Sequence, residues 1–263
     1  MAGKWRVSLR VRITLIPEQG EIKLPYSYNY SLTSAIYSLL RESSPRFSEF
    51  LHQEGYSYGE GKVFKLFTFS PLLTSQRKAL EKEIILGGKI EWLLSSPRED
   101  FLLNLVNGVI DVGYLSLMQQ KLTVEKIEVL ETPAFSQSMS FRTLSPIVVS
   151  TGEKSGDGTF HKRFVSPSES RFYEILEGNL HRKYRVYYGK DAPQERLIFE
   201  PDQGFIAHRE RISKLIDYKG IKIRGWMFPF RTEGNSKLIQ IGYEAGFGEG
   251  NSAGFGMVEV TRE

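Results

Sequence analysis

The 263-residue chain has no cysteine, only four histidines, and no unbroken apolar run near the roughly 18 residues that a membrane span needs. Lack of cysteine excludes disulfides, thiolate nucleophiles and Cys-ligated zinc, and leaves the redox compartment undetermined. No His or carboxylate pair has a convincing metal spacing, so neither a metal nor a cofactor is expected. Asn104, Asn107 and Asp111 interrupt the best apolar stretch. The start, Met1 to Arg6, has no apolar signal region, and a cytoplasmic protein away from membranes is expected. Neither charge dominates: 35 Lys and Arg stand against 31 Asp and Glu, a net +4 that hints at an anionic partner without identifying one.

What remains is an ordinary globular composition, 40% hydrophobic and 25% charged, on a chain long enough for two modest domains or one large one. Trp5, Val7, Leu9, Val11, Ile13 and Leu15 alternate strictly, which predicts a strand with one buried face. Its other face carries Lys4, Arg6, Arg10 and Arg12, a basic stripe that suits either phosphate contacts or simple solvation. A helix over 30–43 follows from Leu32, Ala35, Ile36, Leu39 and Leu40, and a shorter one runs from Pro45 to about Gln53. Lys65 to Phe69 reads as a strand, 83–95 as a strand or hairpin around Gly87-Gly88, Pro97 to Asp111 as a helix, and Leu115 to Leu130 as strand.

The second half echoes this order. A strand over Ser140 to Ser150 precedes a helix from Ser166 to about Val186. Strands over Arg196 to Glu200 and Tyr218 to Phe230, a helix over Lys237 to Ala245 and a closing strand over Met257 to Thr261 complete it. The expected class is therefore α+β, with two tandem ferredoxin-like (RRM-like) domains, each an antiparallel sheet covered by two helices. Their division is placed near Thr132 to Ser138, giving domains 1–135 and 136–263.

Between the last helix and last strand, glycine recurs at 246, 248, 250, 254 and 256. The G-x-G-x-x-G spacing of a dinucleotide site fails, because Asn251 and Ala253 fall where the third glycine is needed. Gly61-Lys62 is no Walker loop, because Tyr56 stands at its first glycine position and Val63 follows the lysine. Two readings stay open: a phosphate cradle of close-lying amides, or a helix cap with a tight connection.

Gly-aromatic-Gly, a short spacer ending Asn251-Ser252, then Gly254-Phe255-Gly256 before a terminal strand resembles the C-terminal signature of the CRISPR-associated repeat endoribonucleases, the sixth Cas family. Leu24-Pro-Tyr, Tyr28-Asn-Tyr and Ser34-Ala-Ile-Tyr37 resemble that family's first helix, Lys65-Leu-Phe-Thr-Phe-Ser70 its next strand, and Phe141 to Val149 its inter-domain connection. The resemblance implies cleavage of the CRISPR precursor transcript within each repeat without a metal ion, leaving 2′,3′-cyclic phosphate and 5′-hydroxyl ends. Its implied partner is CRISPR repeat RNA in the precursor crRNA, with an effector complex and a homodimer left open. A repeat-binding protein of the same fold that does not cleave is the alternative.

The same resemblance assigns catalysis to Tyr37, His52 and Lys65. Tyr37 lies roughly 130° from the centre of its helix's apolar stripe, and His52 stands outside the Phe47, Phe50, Leu51 face. His52 would do general base or shared acid-base work, Tyr37 would donate a proton or position the hydroxyl, and Lys65 would stabilise charge on phosphorus or protonate the leaving group. RNA contacts are expected at Lys4, Arg6, Arg10 and Arg12. Lys222 and Arg224 beside Trp226, Phe228 and Phe230, and Gly246, Gly248, Gly250, Asn251, Ser252, Gly254 and Gly256 of the loop, complete the set. Core packing is the competing explanation for the rings.

Overall fold

The computed structural model describes residues 10–59, 61–154, 160–209 and 211–261; Lys4 and Arg6 lie outside the described residues. In the N-terminal half, β1 (Arg10–Pro17) and β2 (Glu21–Pro25) lead into α1 (Asn29–Ser43) and α2 (Pro45–Gln53). Then come β3 (Thr68–Phe69), β4 (Gln76–Ala79), β5 (Glu83–Gly87), β6 (Ile90–Ser95), α3 (Glu99–Val112), β7 (Tyr114–Leu117) and β8 (Gln120–Val129). The main sheet has the order β3-β6-β1-β8-β7, and every pairing in it is antiparallel. With β1 central between β6 and β8, this is the ferredoxin-like arrangement plus one edge strand.

Val11, Ile13 and Leu15 of β1 are buried, as their alternation requires, and α1 lays Leu32, Ala35, Ile36, Leu39 and Leu40 into the same core. Pro45 opens α2, where a missing N–H costs nothing. Three local expectations need correction. Residues 83–95 form two strands that do not pair with each other: β5 joins β2 and β4 in a separate three-stranded sheet, while β6 joins β1 and β3. The strand expected over 65–69 shrinks to Thr68–Phe69 because Leu66 has φ +52°. The segment 115–130 folds back on itself at Met118 and Gln119, both left-handed, as a tight hairpin demands.

The C-terminal half runs β9 (Ser138–Thr143), β10 (Ser150–Lys154), β11 (Phe160–Phe164), α4 (Ser170–Tyr188), β12 (Ile198–Pro201), α5 (Gln203–Ala207), β13 (Ser213–Tyr218), β14 (Ile221–Trp226), β15 (Pro229–Glu233), α6 (Ser236–Ala245) and β16 (Val258–Val260). Its sheet order, β12-β15-β9-β16, is the second ferredoxin-like fold, with β10–β11 and β13–β14 as separate hairpins. The strand expected over 140–150 stops at Thr143, because the N–H groups of Leu144 and Ser145 turn to the Met257 carbonyl. Each half has its own apolar core, one around Trp92, Phe67 and Phe101 and one around Phe141, Phe172 and Phe247. Among the described residues no helix is long and apolar enough to cross a membrane.

The glycine-rich segment is the seam between the halves. Phe247 and Phe255 are wholly buried, and Asn251 donates its side-chain amide to the carbonyls of both, at 3.2 and 3.0 Å. The buried Lys183 Nζ on α4 donates to the carbonyls of Gly246 and Gly248, at 2.5 and 2.9 Å. From the N-terminal half, Asn29 donates to the Ala253 carbonyl, Thr33 to that of Ser252 and Thr68 to that of Phe255. Gly254 sits so close to the Phe69 ring and the Asn29 amide that a Cβ would overlap both, and one on Gly256 would overlap the Phe247 carbonyl. Both have φ near +80°, where side-chain-bearing residues are strained.

Candidate active site and nucleic-acid interface

Tyr37, His52 and Lys65 come from three separate segments, and the fold brings them together. The Tyr37 ring meets the His52 imidazole edge-on, with centroids 5.2 Å apart, and rests on buried Phe67 from behind. Ser48 of α2 donates to the Tyr37 carbonyl and holds the two helices in this relation. Lys65 Nζ donates to the His52 carbonyl at 3.0 Å. That carbonyl is at the C-terminal end of α2, where intrahelical donors run out and the helix dipole favours a cation. The ammonium is thereby anchored to the main chain of His52.

The environment tunes these groups differently. Burial raises the Tyr37 phenol to about 12, with the neighbouring Tyr218 phenol adding to the shift. Tyr37 therefore stays protonated at neutral pH and can donate a hydrogen bond but not act as a base. Partial burial lowers Lys65 from its ordinary value, partly offset by Glu54. His52 is exposed, so its ring nitrogens are accessible to a substrate. Among the described residues no cluster of three or more His, Cys, Asp or Glu is arranged to hold a metal ion.

The expected basic face of β1 is corrected at Arg10. Arg10 is buried, donating to the carbonyls of Val258 at 2.8 Å and Tyr243 at 3.1 Å, with its guanidinium 3.7 Å from the Tyr243 ring centre. It ties β1 to the C-terminal half and is not available to RNA. Arg12 is half-buried between Glu91 and Glu128 on the neighbouring strands. Alternation identified the face but not what covers it.

The cradle expectation is corrected for the buried part of the glycine loop. The N–H groups of Phe247, Glu249, Ala253, Gly254 and Gly256 are donated to carbonyls within the protein. Gly246, Gly248, Asn251, Gly254 and Gly256 are buried, whereas Gly250 is exposed and Ser252 half-buried. Trp226, Phe228 and Phe230 belong to the core and offer no stacking surface, while Lys222 and Arg224 remain exposed on β14. Lys222 pairs with Asp217 at 2.8 Å.

Sequence reading missed a groove of about 590 Å³ where the two halves meet. Arg77 comes to it from the N-terminal half, and Arg142, Arg209, Arg211 and Lys214 from the other, with no carboxylate among the described lining residues. Exposed Tyr26 and half-buried Asn29 form part of its rim. Its cations are scattered over more than 130 positions of sequence, so no local pattern announces them.

Comparisons with known proteins agree with this architecture. Residues 23–128 match the family model for CRISPR-associated protein Cas6, N-terminal, and residues 130–260 that for CRISPR associated protein Cas6, C-terminal. The chain is 34% identical over 260 residues to CRISPR-associated endoribonuclease Cas6 1 of Methanocaldococcus jannaschii, covering 96% of this chain and 93% of the relative. A solved structure of a Cas6-related gene product from Pyrococcus furiosus superimposes with a TM-score of 0.84 at 27% identity, over 97% of this chain and 99% of that one. Another, described as an RAMP protein binding different RNA substrates, gives 0.80 at 25% identity over 96% and 99%.

Proposed function

The chain belongs to the Cas6 family of CRISPR-associated proteins, and from that premise we propose that it is an endoribonuclease cutting CRISPR precursor RNA within the repeats, without a metal ion. The observation that carries this reading is the convergence of Tyr37, His52 and Lys65, with the His52 ring open to solvent. In the proposed reaction a ribose 2′-oxygen, losing its proton to His52, attacks the adjacent phosphorus. The bond to the 5′-oxygen breaks, and that oxygen takes a proton from the protonated group nearest it. The products are a 2′,3′-cyclic phosphate and a 5′-hydroxyl. Lys65 lies against the charge that develops on the non-bridging oxygens, and Tyr37 donates a hydrogen bond to the reacting group.

The groove lined by Arg77, Arg142, Arg209, Arg211 and Lys214 supplies phosphate contacts for the repeat RNA. The catalytic patch belongs to the first of two units that divide near residue 135. Incubation with repeat RNA in a chelator, with analysis of product ends, tests the mechanism. His52→Ala is expected to slow single-turnover cleavage by about 10² to 10⁴-fold. Cleavage by the variant at the wild-type rate would remove His52 from the mechanism, and RNA that is bound but uncut would make this a non-cleaving repeat-binding protein.

A further inference from the structure

Eight positions along α1 separate Asn29, at the rim of the basic groove, from Tyr37, about 12 Å at 1.5 Å per residue. The surface between them is completed by the C-terminal half. The β13–β14 hairpin reaches across the seam, where the Asp217 N–H donates to Ser27 Oγ at 3.0 Å and half-buried Tyr218 follows it in the strand. Tyr218 also meets the Tyr30 ring edge-on, centroids 5.7 Å apart. At the hairpin tip Lys219 and Gly220 are both left-handed, φ +56° and +80°. Asp217 braces this turn by accepting from the Gly220 N–H at 2.7 Å and from Lys222 at 2.8 Å. The turn brings Lys219 back over α1, with Nζ 4.4 Å from the centre of the Tyr30 ring.

Tyr30 and Lys219 are otherwise open to solvent, Tyr30 at 42% exposure. Tyr30, Ser34 and Tyr37 follow the i, i+4, i+7 spacing that places side chains on one helix face. A cation and an exposed ring thus stand between the groove that would hold RNA and the group that would cut it. Trp226, Phe228 and Phe230, by contrast, are packed away and offer no such face.

We propose that Tyr30 and Lys219 form a nucleotide subsite beside the cleavage position, the Tyr30 ring stacking one base and the Lys219 ammonium holding a phosphate. Tyr218 is its positioning residue, seating the hairpin on α1 so that one half of the molecule completes the catalytic face of the other. In the free protein Lys219 covers the Tyr30 ring by a cation–π contact, which is weak at an exposed site. An incoming base takes that ring face, and the released ammonium turns to the backbone phosphate. Stacking of this kind tolerates any base, so the subsite positions the strand and does not read its sequence. The subsite rests on the RNA-cleaving reading above.

The test uses the full chain and repeat RNA from the CRISPR array encoded with the protein, made uncleavable by a 2′-deoxy sugar at the cut. 2-Aminopurine is placed at each nucleotide flanking the cut in turn. One position is expected to be quenched on binding, to lose its quenching in Tyr30→Ala, and to keep it in Tyr30→Phe, which retains the ring. Tyr30→Ala should raise the dissociation constant about fivefold or more. Lys219→Ala should flatten the slope of log affinity against log salt by about one. Melting curves check that the variants fold. Wild-type quenching, affinity and salt slope in both alanine variants, on a repeat whose unmodified form the wild type cuts, would overturn the subsite alone. Failure of the wild type to bind or cut the unmodified repeat would overturn the function beneath it.

Discussion

At the scale of single residues, the candidate site separates three groups by environment. Tyr37 is held protonated by burial, Lys65 is eased toward deprotonation by partial burial, and His52 is left in solvent. The sign of the Lys65 shift gives a pH prediction. A lowered value means that the ammonium is lost, as pH rises, earlier than an ordinary lysine would lose it. If cleavage uses that charge, the background-corrected single-turnover rate falls on the alkaline side, below the usual lysine range. Lys65→Arg, which stays charged, should move this limb to higher pH, and Tyr37→Phe should leave its position alone because the phenol titrates near 12. An alkaline limb unmoved in Lys65→Arg would assign it elsewhere. These residues were legible in the sequence only through family resemblance. Nothing in the spacing of 37, 52 and 65 shows that the C-terminal end of α2 brings the lysine to the histidine.

At the scale of elements, the strands and helices whose apolar period is strong were readable: β1, α1, α2, α3, α4 and α6 lie close to where alternation and helical spacing predict. Pairing was not readable, as β5 and β6 demonstrate by joining different sheets on either side of a glycine pair. Short-range pattern registers which residues are apolar and leaves open which strand they meet. The glycine loop shows the same division, since its conformational freedom was evident and its use as packing was not. Substitution separates the two contributions. Gly20→Ala, at φ +80° with open space around the added methyl, should cost only about 1–2 kcal/mol. Gly256→Ala adds overlap with the Phe247 carbonyl to similar backbone strain, and should cost about 2–5 kcal/mol. Urea denaturation of the two variants compares them directly. Equal losses would mean that the loop yields easily and does not serve as a seam.

At the scale of the whole molecule, two ferredoxin-like folds are joined by polar contacts buried in an otherwise apolar seam. Arg10 is a buried charged one, and its two carbonyl partners, on α6 and β16, both belong to the other half. Arg10→Ala leaves two acceptors without a donor and should destabilise by about 2–5 kcal/mol. It should also uncouple the halves. Trp92 reports on one core and Trp226 on the other, so single-tryptophan variants can follow each separately. Coincident unfolding should split into two transitions when Arg10 is replaced, and continued coincidence at unchanged stability would argue against the tether.

The amino-acid sequence alone determined the α+β order, the twofold repetition of that order, and the residue types available for chemistry, because periodicity and composition are local properties. Only the tertiary structure decided that Arg10 faces inward, that the glycine loop is packing, that five distant cations share one groove, and that Tyr218 and Lys219 lie over the first helix. Each of these depends on which surface is covered by chain a hundred or more residues away. A strand's alternation repeats identically whether its polar face meets water or another domain.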